Sequence, residues 1–182
     1  MRIGLLEALL PLKMEVVKMT NNDILIRLRY ALDIKNTDMV KIFQLGGMDY
    51  TKEEVLNMLI KVYDEEEAPE EYIKCNNKML EAFLNGFITF KRGPQKPKPG
   101  QSEGPLPVSG KESPNNMLLK KVKIALALTS EEMLDILYDG GVSVSKGELG
   151  AILRNPSHRN YKECGDRFVR NFLRGLTDKY RN

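Results

Sequence analysis

The chain has 182 residues, 42% of them hydrophobic, and a formal net charge of +3. That length admits one ordinary domain or two small ones. No apolar run approaches the roughly eighteen residues that span a membrane, and two cysteines are too few for a disulfide framework. A cytoplasmic chain is the expectation, and a charge this small names no partner by itself.

Residues 1–18 read MRIGLLEALLPLKMEVVK. Glu7 interrupts the apolar run and no small-x-small site follows, so a secretory signal is not expected. Two readings stay open. Either the leader is a short helix whose Leu5, Leu9 and Leu10 face packs on the body, or Met19 is the native start. In the second case a chain from Met19 would melt like the full one.

From Met19 the pattern becomes regular. Asn21, Asn22 and Asp23 are good N-cap types. Ile24, Leu28, Ala31 and Leu32 then share one helical face. A second helix starts at Asn36, with Asp38 favouring its N-terminal dipole, and ends at Gly46-Gly47, where a C-terminal cap needs positive φ. Thr51 and Glu54 form a capping box that opens a third helix. An acidic loop, Asp64–Glu71, precedes a fourth helix capped by Asn77, with Leu80, Phe83, Leu84 and Phe87 as its apolar face.

The pattern then repeats. Met39–Leu59 recurs as Met133–Leu153, 94 positions on, which aligns Ile42 with Ile136, Gly46-Gly47 with Gly140-Gly141 and Leu59 with Leu153. Helix one returns at 114–126 with Leu118, Val122, Ala125 and Leu126, helix two at Ser130 with Glu132, and helix three at Ser145–Glu148. The second loop, NPSHRN, is five residues shorter, so Cys75 pairs with Cys164, Gly86 with Gly175, and Phe83 with Phe172 at a shift of 89. Asp166 is the matching cap of helix four. Phe83 and Phe172, like Ile42 and Ile136, are expected at equivalent buried sites.

Between the copies, residues 92–113 (RGPQKPKPGQSEGPLPVSGKES) have no apolar periodicity and read as a flexible linker. The predicted fold is all-α: a leader over 1–18, a first four-helix unit over 20–91, the linker over 92–113 and a second unit over 114–179. The units should pack as a pseudo-twofold pair, within a chain or between two. Charge divides between them. Residues 20–90 carry −5, residues 91–113 +3 and residues 114–182 +4. Opposite fields favour docking of one unit on the other, in which case separated units would associate at low salt and part at high salt.

Chemistry is thinly represented. Cys164 and His158 could form a nucleophile–base pair, but the first copy keeps the cysteine without a histidine, so a buried structural thiol is the better reading. A Cys75–Cys164 disulfide would need an oxidising compartment. One His and two Cys cannot close a zinc site within one unit. The Gly-Gly pairs lack a phosphate-loop frame. The run Glu65–Glu67 with Glu70-Glu71 lacks calcium-loop spacing and reads as a solvated loop. No catalytic, cofactor or metal residue is therefore expected, and no cofactor.

The helix–Gly-Gly–helix unit does have the layout of a helix-turn-helix. In the second copy Lys146, Arg154 and Arg159, with Lys120, Lys121 and Lys123 on helix one, are the candidate phosphate contacts. In the first copy Glu53, Glu54 and the acidic loop would repel a duplex. A nucleic-acid-binding protein using the second copy is thus the alternative to a non-enzymatic interaction or regulatory protein with a protein partner or self-association. No membrane partner is expected.

TNNDILIRLRYALDI, the two Gly-Gly turns and the Y-x-x-C…F-L-x-G ends of both copies resemble the YehS family of small bacterial proteins, which carry two copies of a domain of unknown function. The resemblance runs from Met19 to the C-terminus and leaves residues 1–18 uncovered. It implies a bacterial, cytoplasmic protein and supplies no activity, ligand or catalytic residue.

Overall fold

The computed structural model describes residues 18–181, so both readings of the leader lie outside the described residues. The described residues contain helices and no strand. The first repeat has α1 (Asn21–Ala31), α2 (Asn36–Leu45), α3 (Lys52–Met58), a 3-10 turn at Glu65–Glu67, and α4 (Asn77–Arg92). The second has α5 (Pro114–Ala125), α6 (Ser130–Asp139), α7 (Lys146–Leu153) and α8 (Asp166–Tyr180).

Local signals set most boundaries. Thr51 caps α3 and Glu54 returns the bond, closing the expected box; Ser145 accepts from the Glu148 amide at the same place in α7. Three starts differ from expectation. Thr20, not the Asn-Asn-Asp run, caps α1, and its box closes through Asp23. The caps of α4 and α8 are Asn76 and Gly165, one residue before Asn77 and Asp166. Asp166 is occupied elsewhere: its Oδ2 accepts from the Met19 N–H at 2.9 Å and its Oδ1 from Asn115 Nδ2 at 2.9 Å.

The two glycines of each turn do different things. Gly47 and Gly141 sit at φ 93° and 103°. Met48 N–H then donates to Phe43 O, and Val142 N–H to Leu137 O, the long bond of a Schellman cap. Gly46 and Gly140 have ordinary φ and serve packing. A Cβ on Gly46 would lie 1.8 Å from Ala82 O, and one on Gly140 1.9 Å from Asn171 O. Gly86 and Gly175 reciprocate, at 1.9 Å from Ile42 O and Ile136 O. In each repeat, helix two therefore crosses helix four backbone to backbone. Gly86→Ala or Gly175→Ala must push two helices apart and is expected to cost about 3 kcal/mol, the upper end of ordinary overpacking; urea denaturation reads it directly.

Asn22 and Asn116 are buried inside the first turn of α1 and α5, at 3% and 0% exposure. Asn22 Nδ2 donates to Met58 O and Ile73 O, and its Oδ1 accepts from the Cys75 N–H. Asn116 does the same with Ile152 O, Lys162 O and the Cys164 N–H. One amide in each repeat thus ties helix one to the end of helix three and to the strand of chain entering helix four.

The repeats meet reciprocally. Helix four of the first, α4, lies on helix one of the second, α5; α8 lies on α1. Both pairs run in the same direction: Met19 meets Asp166 at the starts of α1 and α8, and Arg181 Nη1 donates to Tyr30 O at 2.8 Å at their ends. Arg181 also stacks on the Tyr30 ring at 3.9 Å and pairs with Asp33 at 3.4 Å. The buried apolar side chains of both repeats join in one cluster, in which Phe83, Phe172, Ile42 and Ile136 are all inaccessible. The seam is held mainly by apolar burial. The linker lies partly on the first repeat: the amides of Ser109 and Gly110 both donate to Glu81 Oε2 at 3.0 Å.

Candidate interaction groove at the α1/α8 seam

The two seams are equivalent by position and differ in their side chains. At the closed one, Lys121 of α5 reaches across to Asn85 Oδ1 of α4. Burial pushes the Lys121 amine below its usual range, partly offset by Glu81 and Glu112. The residues standing at these two positions on the other seam are Arg27 of α1 and Arg174 of α8. Two guanidiniums cannot bond each other. There the seam opens into a groove of about 510 Å³.

Ile26, Tyr30 and Leu173 supply much of its apolar lining, and Arg27, Arg170 and Arg174 its positive charge. Asp178 lies at the end nearer the C-terminus of α8. Arg27 and Arg174 are exposed. Such a concave surface, apolar with convergent cations, suits a carboxylate-bearing, partly apolar occupant.

None of these arginines stood out in the sequence, although a signal was present. Where Arg27, Arg170 and Arg174 stand, the other repeat has Lys121, Glu81 and Asn85. Two of the three, Arg170/Glu81 and Arg174/Asn85, change charge or polarity between the paired helices.

The six sequence-based candidates are differently placed. Lys120 forms an ion pair with Glu112 and lies 5.5 Å from the Tyr161 ring centre. Lys121 is at the closed seam. Lys146 pairs with Glu131 at 2.9 Å, which raises its own pKa and lowers that of Glu131. Arg154 donates to Asn160 O at 3.4 Å. Lys123 is half-exposed on α5, and Arg159 is exposed in the loop after α7. Four of the six are therefore engaged inside the chain.

Cys75 and Cys164 are free and buried, and burial pushes each thiol up from 9.0 to about 12. A thiol this hard to ionise is a poor nucleophile. His158 lies in an exposed turn, its Nδ1 accepting from the Asn160 N–H. Both thiols are expected to ignore an aromatic disulfide reagent at pH 8 until urea unfolds the chain. Because the folded pKa is the higher one, the thiols' contribution to stability is full below pH 9 and is lost as pH rises towards 12. The urea midpoint should fall across that window, and Cys75→Ala/Cys164→Ala should remove part of the fall.

Among the described residues no group of acidic, His and Cys side chains is arranged to hold a metal ion. No described helix is long and apolar enough to cross a membrane. Residues 21–93 and 115–182 each match the family model described as protein of unknown function (DUF1456). Over 158 residues the chain is 39% identical to the uncharacterized protein YehS of Escherichia coli (strain K12), covering 87% of this chain and 94% of that one. No solved structure matches. With both repeats matched and the helices of each in the same order, the chain belongs to the DUF1456 family.

Proposed function

We propose that the chain is a cytoplasmic, non-enzymatic interaction protein that binds an acidic, partly apolar polypeptide in the α1/α8 groove. The observation that supports this is the contrast between the seams. At equivalent positions one closes through Lys121 and Asn85, and the other presents Arg27 and Arg174 around an apolar floor. Cations lining one groove favour an occupant that carries negative charge. A polypeptide is favoured over a small anion because the closed seam's flank is itself covered by polypeptide, the linker residues bound to Glu81.

Selection of displayed linear peptides on the immobilised chain tests this. Peptides with a carboxylate among apolar residues should be enriched, and Arg27→Glu/Arg174→Glu should abolish the enrichment. Enrichment indifferent to the reversal removes the groove from the proposal. Nucleic acid is the rival occupant of the basic second repeat. A titration with random-sequence duplex and single-stranded RNA from low to high salt should show no steep salt-dependent binding. Steep binding that Lys123→Glu/Arg159→Glu weakens would replace the polypeptide by nucleic acid.

A further inference from the structure

We infer that the occupant of the α1/α8 groove is the acidic loop of a second copy of this chain, residues 63–71, in a reciprocal twofold dimer. The inference rests on the groove being a site for an acidic polypeptide, as proposed above, and names the polypeptide.

The repeats depart from each other at two places, and the departures are complementary. One is the groove, where Arg27 and Arg174 stand around an apolar floor. The other is the loop after α3, which is five residues longer than its counterpart after α7 and carries Asp64, Glu65, Glu66, Glu67, Glu70 and Glu71. All six are exposed. Glu65 pairs with Lys74 at 3.1 Å, and Asp64 accepts from the Glu66 N–H. Among the described residues no cation pairs with Glu66, Glu67, Glu70 or Glu71. Like charges on one short loop repel, so a surface presenting two guanidiniums is a favourable partner for them. The apolar parts match as well. Tyr63, 88% exposed, opens the loop, and Ala68 and Pro69 separate its two acidic runs. They suit a floor made by Ile26, Tyr30 and Leu173.

The loop does not fill its own groove. It contributes none of the lining, and both its ends are tied: Lys61 is bonded to Asp23, and the Ile73 N–H donates to Asn57 O at 3.3 Å. Between the ties, the Glu67 N–H donates to Asp64 O and the Tyr72 N–H to Pro69 O, both at 3.0 Å. A loop held in this way is presented to another copy.

Its anchor point gives the twofold. Asp23, Ile26, Arg27 and Tyr30 stand at i, i+3, i+4 and i+7, one stripe of α1. Asp23 holds the base of the loop through Lys61, and the other three line the groove. Loop base and groove therefore lie towards opposite ends of one face of an 11-residue helix, about 15 Å long. Two copies that set these stripes antiparallel bring each loop to the other's groove, so both contacts form together. Tyr30, 53% exposed, and Leu56, which shares a hollow with Ile26, add apolar surface on the same side.

Sedimentation of the full chain tests it. A dimer should form at low salt and weaken on the order of tenfold or more between about 0.05 and 0.5 M salt. Arg27→Glu/Arg174→Glu and Glu66→Lys/Glu67→Lys, all at exposed positions, should each give a monomer of unchanged helicity. Mixed in equal amounts, these two variants should form a heterodimer. The lysine-bearing loop then meets the glutamate-bearing groove, and the unaltered loop meets the unaltered groove. Mixing repairs a lost contact and does not repair a misfolded chain. A chain that stays monomeric at about 0.1 mM in low salt overturns the proposal. So does a dimer that neither reversal weakens, and so do variants that stay apart when mixed. Its failure is distinct from that of the interaction function. A monomeric chain leaves the groove open, and peptide selection on it then still returns acidic peptides that Arg27→Glu/Arg174→Glu abolishes.

Discussion

Asn116→Ala and Asn22→Ala are each expected to destabilise the chain by on the order of 3 kcal/mol, since each would orphan two buried backbone groups, at about 1–3 kcal/mol apiece before relaxation, and remove the partner of a third that is partly buried. For Asn116 those groups are Ile152 O, Lys162 O and the Cys164 N–H. The side chain has no exposure to share with water, and the atoms it serves lie on two segments, one of which is tied to helix one a second time by Asn115 Nδ2 donating to Cys164 O at 3.1 Å. Asn116→Asp is a sharper probe than alanine. It keeps the acceptor for Cys164 and removes the two donors, so carbonyls face a carboxylate in a buried site. It should be at least as damaging as alanine at neutral pH, and its cost should shrink as acid protonates the carboxyl. Urea denaturation of the two variants at pH 7 and pH 4 checks this. A loss below about 1 kcal/mol in either repeat would mean that water replaces the amide at little cost.

The same residue shows what a sequence conveys and what it withholds. The capping boxes at Thr51 and Thr20 are local chemistry, closed within four residues, and such boundaries are legible to within a residue. Asn22 at a helix start invites the same interpretation, yet its partners are 36 to 53 positions away. Only the recurrence of Asn-Asn and of Cys in both repeats pointed to a shared task. The Gly-Gly turns divide likewise. Positive φ at Gly47 belongs to the turn and was legible, whereas the close approach of Gly46 to Ala82 needs α4 in place.

Charge misled for a related reason. Summed over a repeat it drew attention to lysines of α5, two of which lie at or beside the closed seam. The groove instead joins Arg27, from the acidic repeat, to two arginines of α8. It exists only because helix one of one repeat lies along helix four of the other. Within one repeat, no pattern of residues contains it. The differences between aligned repeats do, at Arg27/Lys121 and Arg174/Asn85.

Phe83→Ala and Phe172→Ala are expected to cost about 3–5 kcal/mol each, since both rings are inaccessible at the centre of helix four. Phe83 should lie towards the upper end. Its ring stands 5.0 Å from Phe43 and 6.4 Å from Phe87, and aromatic pairs add about 0.5–1.5 kcal/mol beyond burial. At Phe172 the corresponding neighbours are Leu137 and Leu176, which can close partly over a cavity. The more informative readout is the number of transitions. The buried residues of both repeats make one cluster, and α4 and α8 each pack on the other repeat's first helix. A defect in one repeat is therefore felt by both. Unfolding in urea, followed by helicity and by the exposure of Cys75 and Cys164 to a thiol reagent, should stay a single coincident transition in each variant, displaced to lower urea. If Phe83→Ala splits the curve, with Cys75 exposed while Cys164 stays protected, each repeat carries its own stability. The seam would then be a docking contact between two domains, and the groove an opening that their relative motion could widen or close.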